Sequence, residues 1–387
     1  MGQIHKIYVS NFLTGLVFWY GIEKLFMLSI GITPYQVGTL TALFIIVTML
    51  LDIPGGILAD RWSRKGTLCL SAIFLAISAL VLGTSNSFMP YLLGYMFYGL
   101  YIITSEGTYQ AILYDSLHEI NLHKQYSKIN GKAYALLLTG AGVANIASGF
   151  LASHFGYRMP FYLSVITCLC NVAVIASMRE PLYHKPALKE HAVRQLYNAS
   201  KTIVRIRLLK VLAVTMSLLT IIEYFKSDFG QLYMLRYVHT PQLLGLLWAA
   251  YAFTWALGAF IAHRLHEHLN LLIIASTMPI ILMAFIDGWP ALVFFALQAV
   301  AVAALFNQIE TRIQDATPSH VRASVISVLS TIGRIVSIPA AITIGWILNK
   351  FNAYITIQAV STVAWLVLIY WLYNLLRKHI TIKRATN

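Results

Sequence analysis

The chain has 387 residues, 58% of them hydrophobic and only 11% charged, with a formal net charge of +14. Soluble domains carry about 25% charged residues, so this composition excludes an ordinary soluble enzyme or binding module and indicates a membrane protein. Nucleic acid is not an expected partner either, because Lys and Arg fall in short segments between apolar runs, where they report topology.

At about 20 residues per span, twelve spans are expected. They lie at roughly 6–28, 37–59, 67–85, 90–112, 131–153, 159–178, 209–229, 243–262, 270–287, 290–311, 323–347 and 353–376. The expected fold class is an all-α polytopic membrane protein. The first run contains Glu23 and Lys24 and no small-residue cleavage site follows it, so it reads as an uncleaved span. Lys6, the 61–65 knot, Lys124, Lys128, Lys132, the 179–210 stretch, Arg264, Arg312, Arg322 and the 377–384 tail share one side. Loops around 31–34, 85–87 and 287–288 carry no Lys or Arg, with Arg158, Arg236 and Lys350 as exceptions near that face. The asymmetry puts both termini in the cytoplasm of a cell-membrane protein. Cys69, Cys168 and Cys170 lie within apolar runs, without disulfide or metal spacing.

The one long polar break, 179–208, divides the chain into halves 1–178 and 209–387, expected to be two six-helix bundles. The halves echo each other. Thr33-Pro34-x-x-x-Gly38 recurs as Thr240-Pro241-x-x-x-Gly245, Gly55-Gly56-Ile-Leu-Ala-Asp-Arg61 recurs degraded as Gly258-Ala-Phe-Ile-Ala-His-Arg264, and Asp115 has a counterpart in Asp315. A parallel repeat of this kind is a transporter architecture.

Between the second and third spans the chain reads Asp52-Ile-Pro-Gly-Gly-Ile-Leu-Ala-Asp-Arg-Trp-Ser-Arg-Lys65. In lipid such a charged knot belongs at the water boundary. It resembles the loop signature of the major facilitator superfamily, G-x-L-A-D-R-x-G-R-K. Gly56, Leu58, Ala59, Asp60, Arg61, Arg64 and Lys65 match, and Ser63 replaces the second glycine. The resemblance implies a carrier, not an enzyme, working by alternating access on a small-molecule substrate as a monomer, with spans 1, 4, 7 and 10 lining a cavity. It also implies a gate. Asp52 resembles the acid-x-Pro-x-Gly opening of that loop, and a relay of Asp60, Arg64 and Asp115 would latch the inner side.

An ionisable group inside a span costs at least about 2.5–3.5 kcal/mol, so each is a functional candidate. These are Glu23, Glu106 and Glu223 in spans 1, 4 and 7, Glu310 nearer the cytoplasmic end of span 10, and Arg334 in span 11. A carboxyl in a low-dielectric cavity is suited to exchanging a proton near physiological pH. Arg334 keeps its charge and needs an anionic partner: Glu223 by depth, Glu310 next, or the substrate. Structural uses compete with these roles. Lys24 permits Glu23 to sit beside a snorkelling lysine, and Lys226 follows Glu223 by three residues, a helical pair. Trp19, Tyr20, Tyr101, Trp248, Tyr251 and Trp255 are candidate cavity aromatics, although packing and interface belts use the same residues.

Two transport patterns are incomplete. The exporter pattern R-x-x-Q-G aligns with Ile103-Thr-Ser-Glu106-Gly107, lacking the arginine. The antiporter pattern G-x-x-x-G-P-x-x-G-G is met loosely by Gly140 to Gly149, with Asn145 in place of proline. The run His263-Arg-Leu-His266-Glu267-His268 has metal-binding residue types but occupies the second loop. No phosphate-binding G-x-x-x-x-G-K occurs, and no cofactor or metal is expected. The leading expectation is proton-coupled efflux of drug-like or metabolite compounds. The alternatives are proton-coupled uptake, or a lipid flippase or receptor on the same scaffold.

Overall fold

Apolar runs of span length satisfy their backbone groups in lipid by forming helices, and helices dominate the computed structural model. It describes residues 2–61, 63–181, 192–265, 267–318 and 321–386, with the side chains at 53, 56–61, 192–198, 323 and 378–386 outside the description.

In order, the helices are α1 (Gln3–Gly15), α2 (Glu23–Ser29), α3 (Pro34–Arg61), α4 (Arg64–Thr84), α5 (Phe88–Ser105), α6 (Thr108–Glu119), α7 (Tyr126–Phe155) and α8 (Met159–Ala176). They continue with α9 (Ala192–Arg205), α10 (Arg207–Tyr224), α11 (Gly230–Met234), α12 (Pro241–Ile261), α13 (Leu269–Met283), α14 (Trp289–Ala316), α15 (Arg322–Lys350) and α16 (Ala353–Thr386). Nine spans among the described residues are long and apolar enough to cross a membrane, or ten if the bent α1–α2 pair counts as one. The tyrosine-rich α5 and the 15-residue α13 occupy the places expected of the fourth and ninth spans. The count of twelve is therefore not reached by that measure.

Three expected spans are interrupted. The first breaks into α1, a 3-10 turn at Phe18–Gly21 and α2, bent by 41°. The fourth breaks at Glu106–Gly107, where Gly107 has φ 75°, a conformation that any side chain would strain. The seventh carries a π-helical turn, Phe225–Phe229, between α10 and α11. Such turns shift the helical phase and often mark functional sites.

Contacts divide the chain into two compact units. Unit 1 comprises Met1–Gln36, Leu43–Ala187 and Val238–Ala249. At one end Ile7, Leu68, Ile112, Leu113, Ile129 and Met178 form a buried cluster that joins α1, α4, α6 and α7. Where α1 crosses α7, a Cβ on Gly15 would collide with the Leu137 carbonyl and one on Gly140 with that of Phe12. Small residues here permit backbone contact between helices, which gives the loosely matched antiporter pattern a packing role in unit 1. Unit 2 comprises Val37–Ala42, Leu188–Tyr237 and Ala250–Asn387. Its α14 buries Ala299, Val302 and Ala303 along one stripe.

The basic exceptions find local partners. Arg158 donates to the carbonyls of Gly83 (2.7 Å) and Ser85 (3.1 Å). Arg236 pairs with Asp287, which also accepts from the Tyr237 hydroxyl at 2.6 Å. That hydroxyl holds the Asp287 carboxyl below its ordinary value.

Candidate functional site

The loop between α3 and α4 is held from two directions. Ser63 caps α4 by accepting from the Gly66 N–H at 2.8 Å. Glu180, just past α8, accepts from the backbone N–H of Arg64 (2.8 Å) and Lys65 (2.9 Å) and from the Ser63 hydroxyl (2.6 Å). A carboxylate is favoured there by the unsatisfied N–H groups and the helix dipole. The Arg64 guanidinium pairs with Asp115, whose side chain is 7% exposed, and donates to the Ala111 carbonyl at 3.2 Å. Lys65 is half-buried and Asp52 exposed. Of the expected relay, Arg64 and Asp115 meet; the side chains of Gly56, Asp60 and Arg61 lie outside the described residues.

A second cluster forms in unit 1 where the first span is bent. Glu23 accepts from Lys24 Nζ at 3.0 Å and from the Tyr91 hydroxyl at 3.2 Å. Lys24 is 2% exposed and lies 5.9 Å from the centre of the Tyr95 ring. Further along α5, Tyr98 accepts from the Tyr20 hydroxyl at 2.9 Å, and Tyr101 packs at 5.8 Å from Tyr98. Trp19 departs from the cavity-lining expectation, because it is 1% exposed and stacked flat on Phe161 of α8. Glu106 is exposed at the α5–α6 break. Trp248 is half-buried on α12.

Unit 2 holds the corresponding cluster at the π-helical turn. Glu223 and Lys226 are not paired directly; Gln298 of α14 joins them. Its amide N–H donates to Glu223 Oε1 at 2.9 Å, and its carbonyl oxygen accepts from Lys226 Nζ. Lys226 has no exposed surface, donates to the Phe295 carbonyl at 3.0 Å, and sits over the rings of Phe295 (4.4 Å) and Tyr251 (4.9 Å). Cation–π contact and two hydrogen bonds offset the cost of burying an ammonium. Glu23 and Glu223, and Tyr95 and Phe295, stand at one common offset along the chain. Each half therefore places an acid beside a ring-covered lysine where a span departs from regular helix.

Arg334 shares a cavity with the second of its two expected acids, Glu310. With Glu310, Tyr224, Thr220 and Phe306 it lines a cavity of ≈ 350 Å³, while Glu223 is engaged by Gln298. Trp255 packs 6.4 Å from Phe306. Drug-sized sites begin at about 300 Å³. Glu310 is exposed and accepts from Gln314 at 3.3 Å. No group of three or more metal-ligating side chains occurs among the described residues; His266 of the histidine run lies outside them.

Sequence reasoning did not single out Glu180, Gln298 or Tyr95. Gln298 is fully buried in an apolar helix, and a glutamine opposite Glu-x-x-Lys was the available signal.

Interrupted apolar helices that bury opposed charges, repeated in two halves, define a membrane carrier of the secondary-transporter class. The Major Facilitator Superfamily profile matches residues 7–338, and the chain belongs to that superfamily, whose members are transporters. Over 171 residues it is 25% identical to an uncharacterized MFS-type transporter, MJ1560, of Methanocaldococcus jannaschii, covering 42% of each chain. Over 179 residues it is 24% identical to the quinolone resistance protein NorA of Staphylococcus aureus, covering 45% of each. The match spans less than half the length of these relatives. A point mutant of the nucleoside transporter NupG superposes with TM-score 0.84 at 13% identity, over 96% of this chain and 99% of that one. The POT family transporter PepTSo gives 0.75 at 12% identity, over 96% and 97%. At these identities the likeness is one of fold.

Proposed function

We propose that the chain exports small amphipathic organic compounds from the cytoplasm in exchange for protons, with Glu223 carrying the proton. The observation that carries this reading is the Glu223–Gln298–Lys226 bridge. A purely structural span has no need to bury both an acid and a base beside a π-helical turn. Protonation of Glu223 would remove one charge from that bridge and change what Gln298 and Lys226 require as partners. The cavity lined by Arg334, Glu310, Tyr224 and Phe306 suits a compound with an aromatic or apolar body and an anionic group facing Arg334. The quinolone resistance protein among the relatives supports export.

In this reading the halves 1–178 and 209–387, joined by 179–208, rock about the site in the cell membrane, with both termini cytoplasmic and the protein monomeric. The gate is Asp52 and the loop residues Gly56, Asp60, Arg61, Arg64 and Lys65, latched through Asp115. Proton-coupled uptake is the competing reading, favoured by the missing exporter arginine at Ile103.

The test uses purified protein in liposomes enclosing a pH dye, with amphipathic cations, anions and sugars as substrates. Proton movement opposite to substrate supports export; movement in the same direction makes the protein a symporter. Substrate flux without any proton response overturns coupling. Glu223→Gln is expected to leave substrate flux without pH dependence, and an unchanged pH profile would transfer the role to Glu106 or Glu310. Arg334→Ala is expected to weaken anionic substrates by roughly 10- to 100-fold, the loss of one charge-assisted hydrogen bond, while neutral compounds change little. Wild-type kinetics for anions would make Arg334 a structural residue.

A further inference from the structure

A larger cavity, ≈ 750 Å³, opens at the end of unit 2 where α10 and α13 begin and α14 ends. It lies apart from the Arg334 cavity and shares no lining residue with it. Its wall combines two guanidiniums, Arg207 and Arg312, with one carboxylate, Asp315, so its lining carries a net positive charge. Arg312 is half-buried and oriented by Gln308, to whose Oε1 it donates at 3.1 Å. Opposite, Trp371 is 9% exposed and fixed by an indole N–H bond to Asn270 Oδ1 at 2.9 Å. Leu208, one residue along from Arg207, adds apolar wall.

We infer that this cavity binds an anionic phospholipid, with the phosphate on Arg207 and Arg312 and the first acyl carbons against Leu208 and the Trp371 ring. Three features converge on that occupant. Helix ends mark the membrane boundary, where headgroups lie. A tryptophan with a satisfied N–H is the side chain favoured at that depth. Basic pockets between spans take anionic headgroups through charge complementarity, and an adjoining apolar wall distinguishes a lipid from a free anion. The inference concerns a lipid that stays with the protein, and it does not depend on the transported compound.

Native mass spectrometry of the full-length purified protein tests it, with phosphatidylglycerol, phosphatidylcholine and inorganic phosphate as probes. Phosphatidylglycerol is expected to be retained at least about tenfold better than phosphatidylcholine. Arg207→Gln with Arg312→Gln is expected to cut that retention about 25-fold, each arginine contributing about fivefold. Asp315→Asn, which removes the opposing charge, is expected to raise it several-fold. Equal retention of the two lipids overturns the inference. So does phosphatidylglycerol retention that ignores both sets of substitutions, or displacement of the lipid by millimolar phosphate, which would make this a soluble-anion site.

Discussion

Lys226→Ala is expected to lower the thermal midpoint of the purified protein by roughly 10 °C. Removing one member of a buried charge pair costs about 3–5 kcal/mol, and a kilocalorie shifts a unit of this size by about 2–4 °C. The ammonium has no exposed surface and four neighbours: the Phe295 carbonyl, the Gln298 amide oxygen, and the Phe295 and Tyr251 rings. Alanine takes the Lys226 donor from the Gln298 amide oxygen, opens a void, and strips Glu223 of its bridged cation. Lys226→Met with Glu223→Gln removes both charges and keeps most of the volume. That double variant is expected to recover more than half of the lost stability, a coupling within the range of about 0.5–3 kcal/mol seen for residues in one network. It should also have lost pH-dependent transport, since Glu223, the residue proposed to carry the proton, is gone. Stability losses that simply add would show that Gln298 does not couple the two charges.

The distance between expectation and structure at this site has a specific origin. Pairing Glu223 with Lys226 at a spacing of three assumes regular α-helix. The π-helical turn begins at Phe225, between the two residues, and directs Lys226 to α14. Hydropathy locates apolar runs but not whether a helix continues through them, so the breaks at Phe18–Gly21 and at Glu106–Gly107 left no mark on the expected spans. Gly107 is a partial exception: it closes the segment aligned with the exporter pattern, but a glycine there does not by itself specify a positive φ. Arg64 and Asp115 were legible because a long, specific signature fixed the first and the sequence around the end of the fourth span suggested the second. Glu180 was not, because its contact with Lys65 spans 115 residues and no local pattern connects them. Aromatic identity alone cannot separate Trp19, stacked in the interior, from Trp255 beside the Arg334 cavity.

The Arg64–Asp115 pair gives the second large effect. Both side chains are largely buried, 15% and 7% exposed. Asp115→Ala strands a guanidinium, which has no neutral form at any accessible pH, so about 3–5 kcal/mol should be lost. Arg64→Ala strands the Asp115 carboxylate instead, whereas Arg64→Ala with Asp115→Ala removes both charges. Thermal midpoints are expected to fall in each single variant and to recover in the double variant, a coupling of about 0.5–3 kcal/mol. Losses that simply add would mean that the pair is too hydrated for its charges to matter. Transport by the double variant then separates latch from scaffold. With the fold restored and the ion pair still absent, a loss of transport of tenfold or more assigns the pair to the transport cycle, and normal transport reduces it to a contact that holds α4 against α6.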